Sequence, residues 1–334
     1  TYVSQGVNAN PAVGFPTLAT QWQQFDIDII TDLGKHKING ALQTVTLTVK
    51  DASGNSSTGT ATVLVEDNIA PNVITQNITV QLDASGNASI TAAQIDNGST
   101  DACGILSYSL DKTAFTCANV GANSVTLTVT DVNGNVATKT AVVTVEDKIK
   151  PVITNNGNKN VNTDPGVCGA TVTVSASATD NCSVGAVTGE RSDGLELTAL
   201  YPVGTTTIKW NVTDVNGNAA IEVTQTVVVT DNEKPVITTN GDKTVNTDPG
   251  VCGATVTVSA SATDNCSVGA VTGVRSDGLE LTALYPVGTT TIKWNVTDVN
   301  GNAAIEVTQT VVVTDNEQPN AIAQNVTIYL NASL

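Results

Sequence analysis

The sequence predicts an all-β protein, a series of immunoglobulin-like β-sandwich modules arranged as an elongated rod. Three observations carry that expectation. Residues 150–233 recur as residues 234–317 with four differences only, Asn155/Thr239, Asn158/Asp242, Asn160/Thr244 and Glu190/Val274. Apolar residues alternate with polar ones at a period of two, while helical periodicity is nearly absent. Turn and strand signals return about every ten residues, the spacing of a sandwich. Near-identical units in series suit an array or a multivalent binder better than an enzyme.

The alternation is clear within one unit. In the run 207–212, Ile208, Trp210 and Val212 share a face, and Ile221, Val223, Val227 and Val229 are expected to share the face of the next strand. A hairpin is expected at each Asp-Val-Asn-Gly-Asn, at 131–135, 214–218 and 298–302, because Asn-Gly supplies the positive φ that a tight turn needs. The variant Asp51-Ala-Ser-Gly-Asn55 predicts the same turn earlier in the chain. After each hairpin comes a short acidic linker ending in Pro71, Pro151, Pro235 or Pro319, which are 80, 84 and 84 residues apart. These linkers divide the chain into an incomplete module at 1–67, whole modules at 68–147, 148–231 and 232–315, and the first strands of another at 316–334. The stretch around Trp22 and Phe25 matches no later repeat.

Composition narrows the function. The 334 residues carry 31 acidic and 14 basic side chains, a net charge of −17. Such a surface repels nucleic acid and anionic membrane and favours hard cations such as Ca²⁺. No apolar run is long enough for a transmembrane helix, so direct membrane insertion is not expected. The single His36 removes most histidine-based catalysis and is expected to be a solvated residue. No Ser-His-Asp set, GxSxG, phosphate loop or HExxH occurs, so no enzyme is expected. Lys209 and Lys293 alternate against the apolar face and should point outward, which argues against buried isopeptide cross-links.

The six cysteines fall into three pairs, each 14 apart: Cys103/Cys117, Cys168/Cys182 and Cys252/Cys266. The spacing predicts one disulfide per module and an oxidising compartment. Closing a loop of that size would stabilise a module by roughly 3 kcal/mol.

The candidate chemistry is calcium binding at the joints. In a seven-strand sandwich, the loops after the second and sixth strands return to the pole where the linker enters. The linker residues Asp231, Asn232 and Glu233 should therefore meet Asp264 and the hairpin residues Asp298, Asn300 and Asn302. The preceding joint offers Asp147, Asp180, Asp214, Asn216 and Asn218, and the one before it Glu66, Asp67, Asp101 and Asp131. Oxygen donors from three segments suit a Ca²⁺ site of six to eight ligands. The same aspartates can instead simply cap their turns by accepting backbone N–H groups.

Thr-Asp-Asn-Cys-Ser (179–183 and 263–267), Tyr-Pro-Val-Gly-Thr-Thr (201–206 and 285–290), Asp-Val-Asn-Gly-Asn and the Asp-Asn-Glu-Lys-Pro linker resemble hyalin (HYR) repeats. The unit at 71–150, with Asp101-Ala-Cys-Gly and Phe115-Thr-Cys-Ala-Asn-Val-Gly, is similar to the repeats of large Bacteroidota surface adhesins of the SprB gliding-motility type, exported by the type 9 secretion system. The resemblance covers about residues 40–334. It implies a structural stalk segment of a long cell-surface adhesin or filament, whose partners are adjacent modules and a surface glycan or protein of unknown identity. The strand reading Ala-Ile-Glu-Val-Thr lacks a cysteine that hyalin repeats often carry. Multivalent glycan- or protein-binding modules, and passive spacers attached to an extracellular enzyme, are the alternative expectations.

Overall fold

The computed structural model describes residues 43–50, 54–64 and 66–329. Trp22, Phe25 and His36 lie outside the described residues. The chain separates into two compact units, residues 1–80 with 88–146 and residues 81–87 with 147–334. Among the described residues, apart from two short helical turns, Ala92–Ile95 and Cys117–Asn119, every regular element is a strand. The chain is thus a tandem series of immunoglobulin-like β-sandwich modules, as the alternation predicts.

In the first unit, Gln43–Lys50 pairs antiparallel with Ser56–Val63, and Gly54 before the second strand has φ +88°, while Asp51, Ala52 and Ser53 of the expected turn lie outside the described residues. A four-stranded sheet follows, in the order Ile78–Gln81, Val136–Glu146, Gly121–Asp131, Ile105–Leu110. Val125, Leu127 and Val129 point from it into a core shared with Ile90, Ile95, Phe115 and Val143.

The second unit holds the two near-identical repeats, each with its own core. In the first repeat the four-stranded sheet runs Lys159–Asn162, Val223–Thr230, Gly204–Asn211, Thr188–Arg191. The outer pair Lys159–Asn162 and Val223–Thr230 is parallel and the others are antiparallel. Val152–Asn155 pairs with Ala176–Thr179 in the facing sheet. The second repeat reproduces this arrangement from Val236 to Thr314. β-branched Thr and Val, stiff at χ1, supply nearly half of these strand positions.

The first strand of each repeat switches sheets, and a buried glutamine holds the switch. The chain leaves the facing sheet at Asn155, turns at Gly157 with φ +81°, and rejoins the four-stranded sheet at Lys159. Gln225, fully buried, accepts from Trp210 Nε1 (3.0 Å) and donates to Asn156 Oδ1 (2.7 Å) and the Gly157 carbonyl. Trp210 lies flat over Gly189, where an added Cβ would stand 2.7 Å from the indole ring. Trp294, Gln309, Asn240 and Gly241 repeat the network.

A second buried polar group braces the loop at 193–200. Arg191 donates to Asp193 (2.6 and 2.9 Å) and to the carbonyls of Glu196, Ala199 and Leu200, and stacks 3.8 Å from the Tyr201 ring. The Tyr201 hydroxyl donates to the Leu197 carbonyl (3.1 Å). The guanidinium holds the Asp193 carboxyl below the usual carboxylate range. Burial pushes the Tyr201 hydroxyl up.

Several expectations need correction. Ile208, Trp210, Val212, Val227 and Val229 are buried as predicted, but Ile221 is 77% exposed. Ladder pairing starts only at Val223, and Ala220 bonds back to the Val212 carbonyl, so Ile221 lies outside the strand register. In the Asp-Val-Asn-Gly-Asn turns only the glycines have positive φ, at 93°, 94° and 98°. The turn closes over five residues, with Asp131 N–H donating to the Asn135 carbonyl, rather than as a two-residue turn. Described residues 315–329 contain no strand, and Ile322, Val326, Ile328 and Tyr329 are exposed. A strand there would need a neighbouring edge to complete its hydrogen bonds. Lys209 and Lys293 do point outward, towards Glu222 and Glu306.

Replacing Gln309 with Leu would strand the Trp294 N–H and the Asn240 and Gly241 acceptors. A loss of about 3 kcal/mol is expected. Urea unfolding followed by tryptophan fluorescence should show a lower midpoint for the affected repeat with an unchanged slope.

Candidate metal centres at the module junctions

The strand directions bring three segments to one place at the start of the second repeat. Val223–Thr230 ends where the linker begins at Asp231. Ala260–Thr263 ends at Asp264. Gly288–Asn295 leads into the hairpin that starts at Asp298. One carboxylate oxygen from each of Asp231, Asp264 and Asp298 lies within 4.8 Å of the other two. Asp147, Asp180 and Asp214 converge in the same way at the start of the first repeat.

Asp231 and Asp264 each spend one oxygen on their own turn, and Asp298 spends both. Asp231 Oδ1 accepts from Glu233 N–H (3.1 Å) and from Asn265 Nδ2 (3.2 Å). Asp264 Oδ2 accepts from Cys266 N–H (3.1 Å). Asp298 Oδ1 accepts from Asn300 and Asn302 N–H, both 2.8 Å, and Oδ2 accepts from Asn302 Nδ2. The capping role is therefore present. It leaves Asp231 Oδ2, Asp264 Oδ1 and Asn265 Oδ1 buried with no hydrogen-bond donor. At the earlier joint Asp147 Oδ2, Asp180 Oδ1 and Asn216 Oδ1 are left in the same state.

Orphaned acceptors in this number need a positive partner. Asp231 and Asp147 are 4% exposed, and Asp298 and Asp214 are 6% exposed. Buried like charges within 5 Å are unfavourable unless a cation or proton compensates. Among the described residues, no lysine or arginine pairs with Asp231, Asp264 or Asp298. Carboxylate and amide oxygens without nitrogen or sulfur donors fit a hard divalent cation such as Ca²⁺.

The three aspartates at the start of each repeat converge, but several of the neighbours expected with them do not. Glu233 Oε1 accepts from Gly166 N–H (2.9 Å), and Asn232 donates to Asn162 Oδ1 (2.9 Å), so both face the preceding repeat's loop. Asn302 and Asn218 act as donors. Each turns its Nδ2 to the hairpin aspartate and to the linker carbonyl of Asp231 (3.1 Å) or Asp147 (3.2 Å). They tie hairpin to linker rather than offering oxygen. Asn300 is exposed, and its backbone N–H is its contribution to the turn. Asn265, in the loop beside Asp264, does converge on the joint, and its Nδ2 also reaches the Val167 carbonyl (3.2 Å) and Thr163 Oγ1 (3.3 Å) of the preceding repeat.

The first unit has a different cluster. Asp67 and Asp101 converge with the Cys103 thiol, and Asp131 is not the third member. Asp131 is fully buried and committed to its hairpin through Asn133 and Asn135, and Asn135 Nδ2 reaches the Asp67 carbonyl (2.8 Å). Glu66 is exposed and outside the cluster. The thiol of Cys103 is pushed up, first by its hydrogen bond to Asp67 and then by burial.

The cysteine pairing is the largest correction. Cys168 is bonded to Cys266, 98 residues away, and their Cα atoms are 4.5 Å apart. Cys117 and Cys182 are disulfide-bonded too, while Cys103 and Cys252 are free. The three pairs spaced by 14, Cys103/Cys117, Cys168/Cys182 and Cys252/Cys266, do not form. Between Cys168 and Cys182 the chain alternates exposed and half-buried side chains from Thr171 to Thr179. A stretch so extended spans roughly 30 Å, whereas bridged Cα atoms lie within about 7 Å. The two cysteines therefore sit at opposite poles, and Cys168 meets the cysteine that follows Asp264-Asn265 on the next repeat.

Burial alone would push the Asp298 carboxyl up, but the Asn302 side chain and the Asn302, Asn300 and Gly301 N–H groups outweigh it, leaving the group below its ordinary value. Asp214 and Asp131 are lowered by their own hairpins in the same way.

No family model matches the chain. Two curated relatives are both named hyalin. The one from Strongylocentrotus purpuratus is 29% identical over 285 residues, 80% of this chain and 23% of the relative. The one from Lytechinus variegatus is 29% identical over 335 residues, 93% of this chain and 61% of the relative. The chain spans less than two thirds of either. Among solved structures, the chain is similar to the protocadherin GammaB4 extracellular domain, with 19% identity, a TM-score of 0.31, and coverage of 82% of this chain and 55% of that one. It is also similar to the fibronectin(III)-like modules of Clostridium thermocellum CbhA, with 17% identity, a TM-score of 0.22, and coverage of 52% and 100%.

Two expected outcomes follow. Tryptic digestion of the unreduced chain should join peptide 160–191 to peptide 244–275 by mass, the two being told apart by Asn160/Thr244 and Glu190/Val274, whereas pairing of Cys168 with Cys182 and of Cys252 with Cys266 would leave them unlinked. A carboxyl lowered on folding stabilises fully above its unfolded pKa, and that stabilisation is lost as pH falls through the folded value. The melting temperature should therefore hold down to about pH 5 and drop below about pH 4. Asp298→Asn should flatten that drop in calorimetry.

Proposed function

We propose that the chain is a non-catalytic structural segment of a long extracellular adhesin, in which Ca²⁺ bound by the linker aspartates and the Cys168–Cys266 disulfide hold the two near-identical repeats in fixed register. The modules are taken as 68–147, 148–231 and 232–315. The observation that carries the reading is the set of orphaned buried oxygens, Asp231 Oδ2, Asp264 Oδ1 and Asn265 Oδ1, beside Asp298. They come from the linker and from two loops of the next repeat, so a cation held by them couples linker to module. Ca²⁺ would supply the positive charge, and Asn302 would keep the hairpin against the linker whether or not the cation is bound. A Cys168–Cys266 bond suits an oxidising, extracellular setting. Relatives named hyalin support a structural, adhesion-related role.

In the finer form of this proposal, the chain serves attachment or gliding motility on a Bacteroidota surface after type 9 secretion, with a glycan or protein as its ligand. Direct glycan binding by the repeats would call for exposed aromatic rings, and Tyr201 and Tyr285 are fully buried core residues.

The test is calorimetry of the full chain in 10 mM Ca²⁺ and in EDTA. For sites with dissociation constants near 0.1 mM, a gain of about 2.7 kcal/mol per site is expected. Asp231→Asn with Asp264→Asn should remove the share belonging to the second joint. Coincident melts in Ca²⁺ and EDTA would sink the calcium reading.

A further inference from the structure

Cys252 stands where its repeat twin is cross-linked. It is the counterpart of Cys168 in the 84-residue duplication, and its surroundings are the same. Asp164 N–H donates to the Gly169 carbonyl (2.7 Å) as Asp248 N–H does to that of Gly253 (2.8 Å), and Gly166 N–H meets Glu233 as Gly250 N–H meets Glu317. Cys168 in that setting is bonded to Cys266, whereas Cys252 is free and exposed. A second observation points to a missing partner beside it. Thr163 Oγ1, near Cys168, donates to Asp231 Oδ1 (3.3 Å) and accepts from Asn265 Nδ2 of the docked loop (3.3 Å). Its counterpart Thr247 Oγ1 is shielded from solvent and has no hydrogen bond.

The docked loop has a recognisable form. In Asp264-Asn-Cys266 the cysteine N–H donates to the aspartate (3.1 Å), which presents the thiol at the pole of its module. Asp180-Asn-Cys182 has the same turn (3.0 Å), and so does Asp101-Ala-Cys103 (2.8 Å). Of these three cysteines only Cys103 is free.

We propose that Cys252 is a cross-linking site for the Asp-x-Cys loop of a further module, and that with the isolated chain a second copy supplies that loop through its Cys103. The product is a head-to-tail covalent series of chains that continues the pattern of Cys168–Cys266. The oxidant is a disulfide of the glutathione class. The Cys252 thiolate attacks oxidised glutathione and releases one glutathione thiolate. The Cys103 thiolate of the second copy then attacks the Cys252 sulfur and releases the other. Two thiols lose two protons and two electrons, and one oxidised glutathione becomes two glutathiones.

The experiment incubates the full chain with oxidised and reduced glutathione and follows it by non-reducing electrophoresis and peptide mass mapping. The proposal expects a ladder beyond dimer with Cys252–Cys103 as its linking peptide, and expects Cys252→Ser to stay monomeric with an unchanged melt. Ala102→Asn gives Thr247 its donor and should speed ladder formation about fivefold. A monomer throughout, a ladder that survives Cys252→Ser, or Cys252–Cys252 as the main linkage would overturn it. An unchanged rate in Ala102→Asn would also overturn it, by reducing the cross-link to collision of exposed thiols.

Discussion

Everything at a joint hangs on the first residue of the linker. Asp231 is attached at both ends of its side chain and backbone: its carbonyl accepts from Asn302, one carboxylate oxygen accepts from Glu233 and Asn265, and the other faces Asp264. Through this one residue the last strand of one repeat, the second-strand loop of the next and its hairpin are held together. Asp147 occupies the same position before Asp180 and Asp214. The arrangement is electrostatically incomplete on its own, since three close carboxylates, two buried and one half-buried, have hydrogen bonds enough for their turns but not for their full charge. A cation at that point would therefore act on the relation between segments more than on the fold of either module.

Turn capping and metal ligation are two halves of one geometry. A carboxylate has two oxygens, and an Asx turn uses one of them, which fixes the direction of the other. The hairpin asparagines work differently from the aspartates beside them. Their amide nitrogens are turned to the aspartate and to the linker carbonyl, and this fastens the hairpin pole before any ligand binds.

The cores show how a chain with 3% aromatic residues fills its modules. Each repeat has one tryptophan, set flat on a glycine, and uses buried Gln225 or Gln309 to connect it to the point where the first strand changes sheets. Arg191 and Arg275 satisfy three carbonyls apiece in the loop that follows each of them. Buried polar networks that are fully paired specify one arrangement. Here they stand in for the larger hydrophobic side chains that the composition lacks.

The strands, and the aspartates that meet at the start of each of the two repeats, were legible in the sequence, because both depend on local pattern. Period-two alternation places Ile208, Trp210 and Val212 inward whatever lies opposite, and Asn-Gly turns mark where a strand reverses. From strand direction alone, Asp231, Asp264 and Asp298 follow to one pole. What lay beyond the sequence depends on contact between segments far apart. Gln225 and Arg191 look like surface residues until the sheet switch and the loop close over them. Ile221 fits the alternation by count but falls outside the ladder. The even spacing of 14 made each cysteine pair look internal to a module, yet an extended strand carries its two ends to opposite poles. Spacing along a chain sets the separation of such residues only once the conformation between them is known, and so the partner of Cys168 was decided by the tertiary structure.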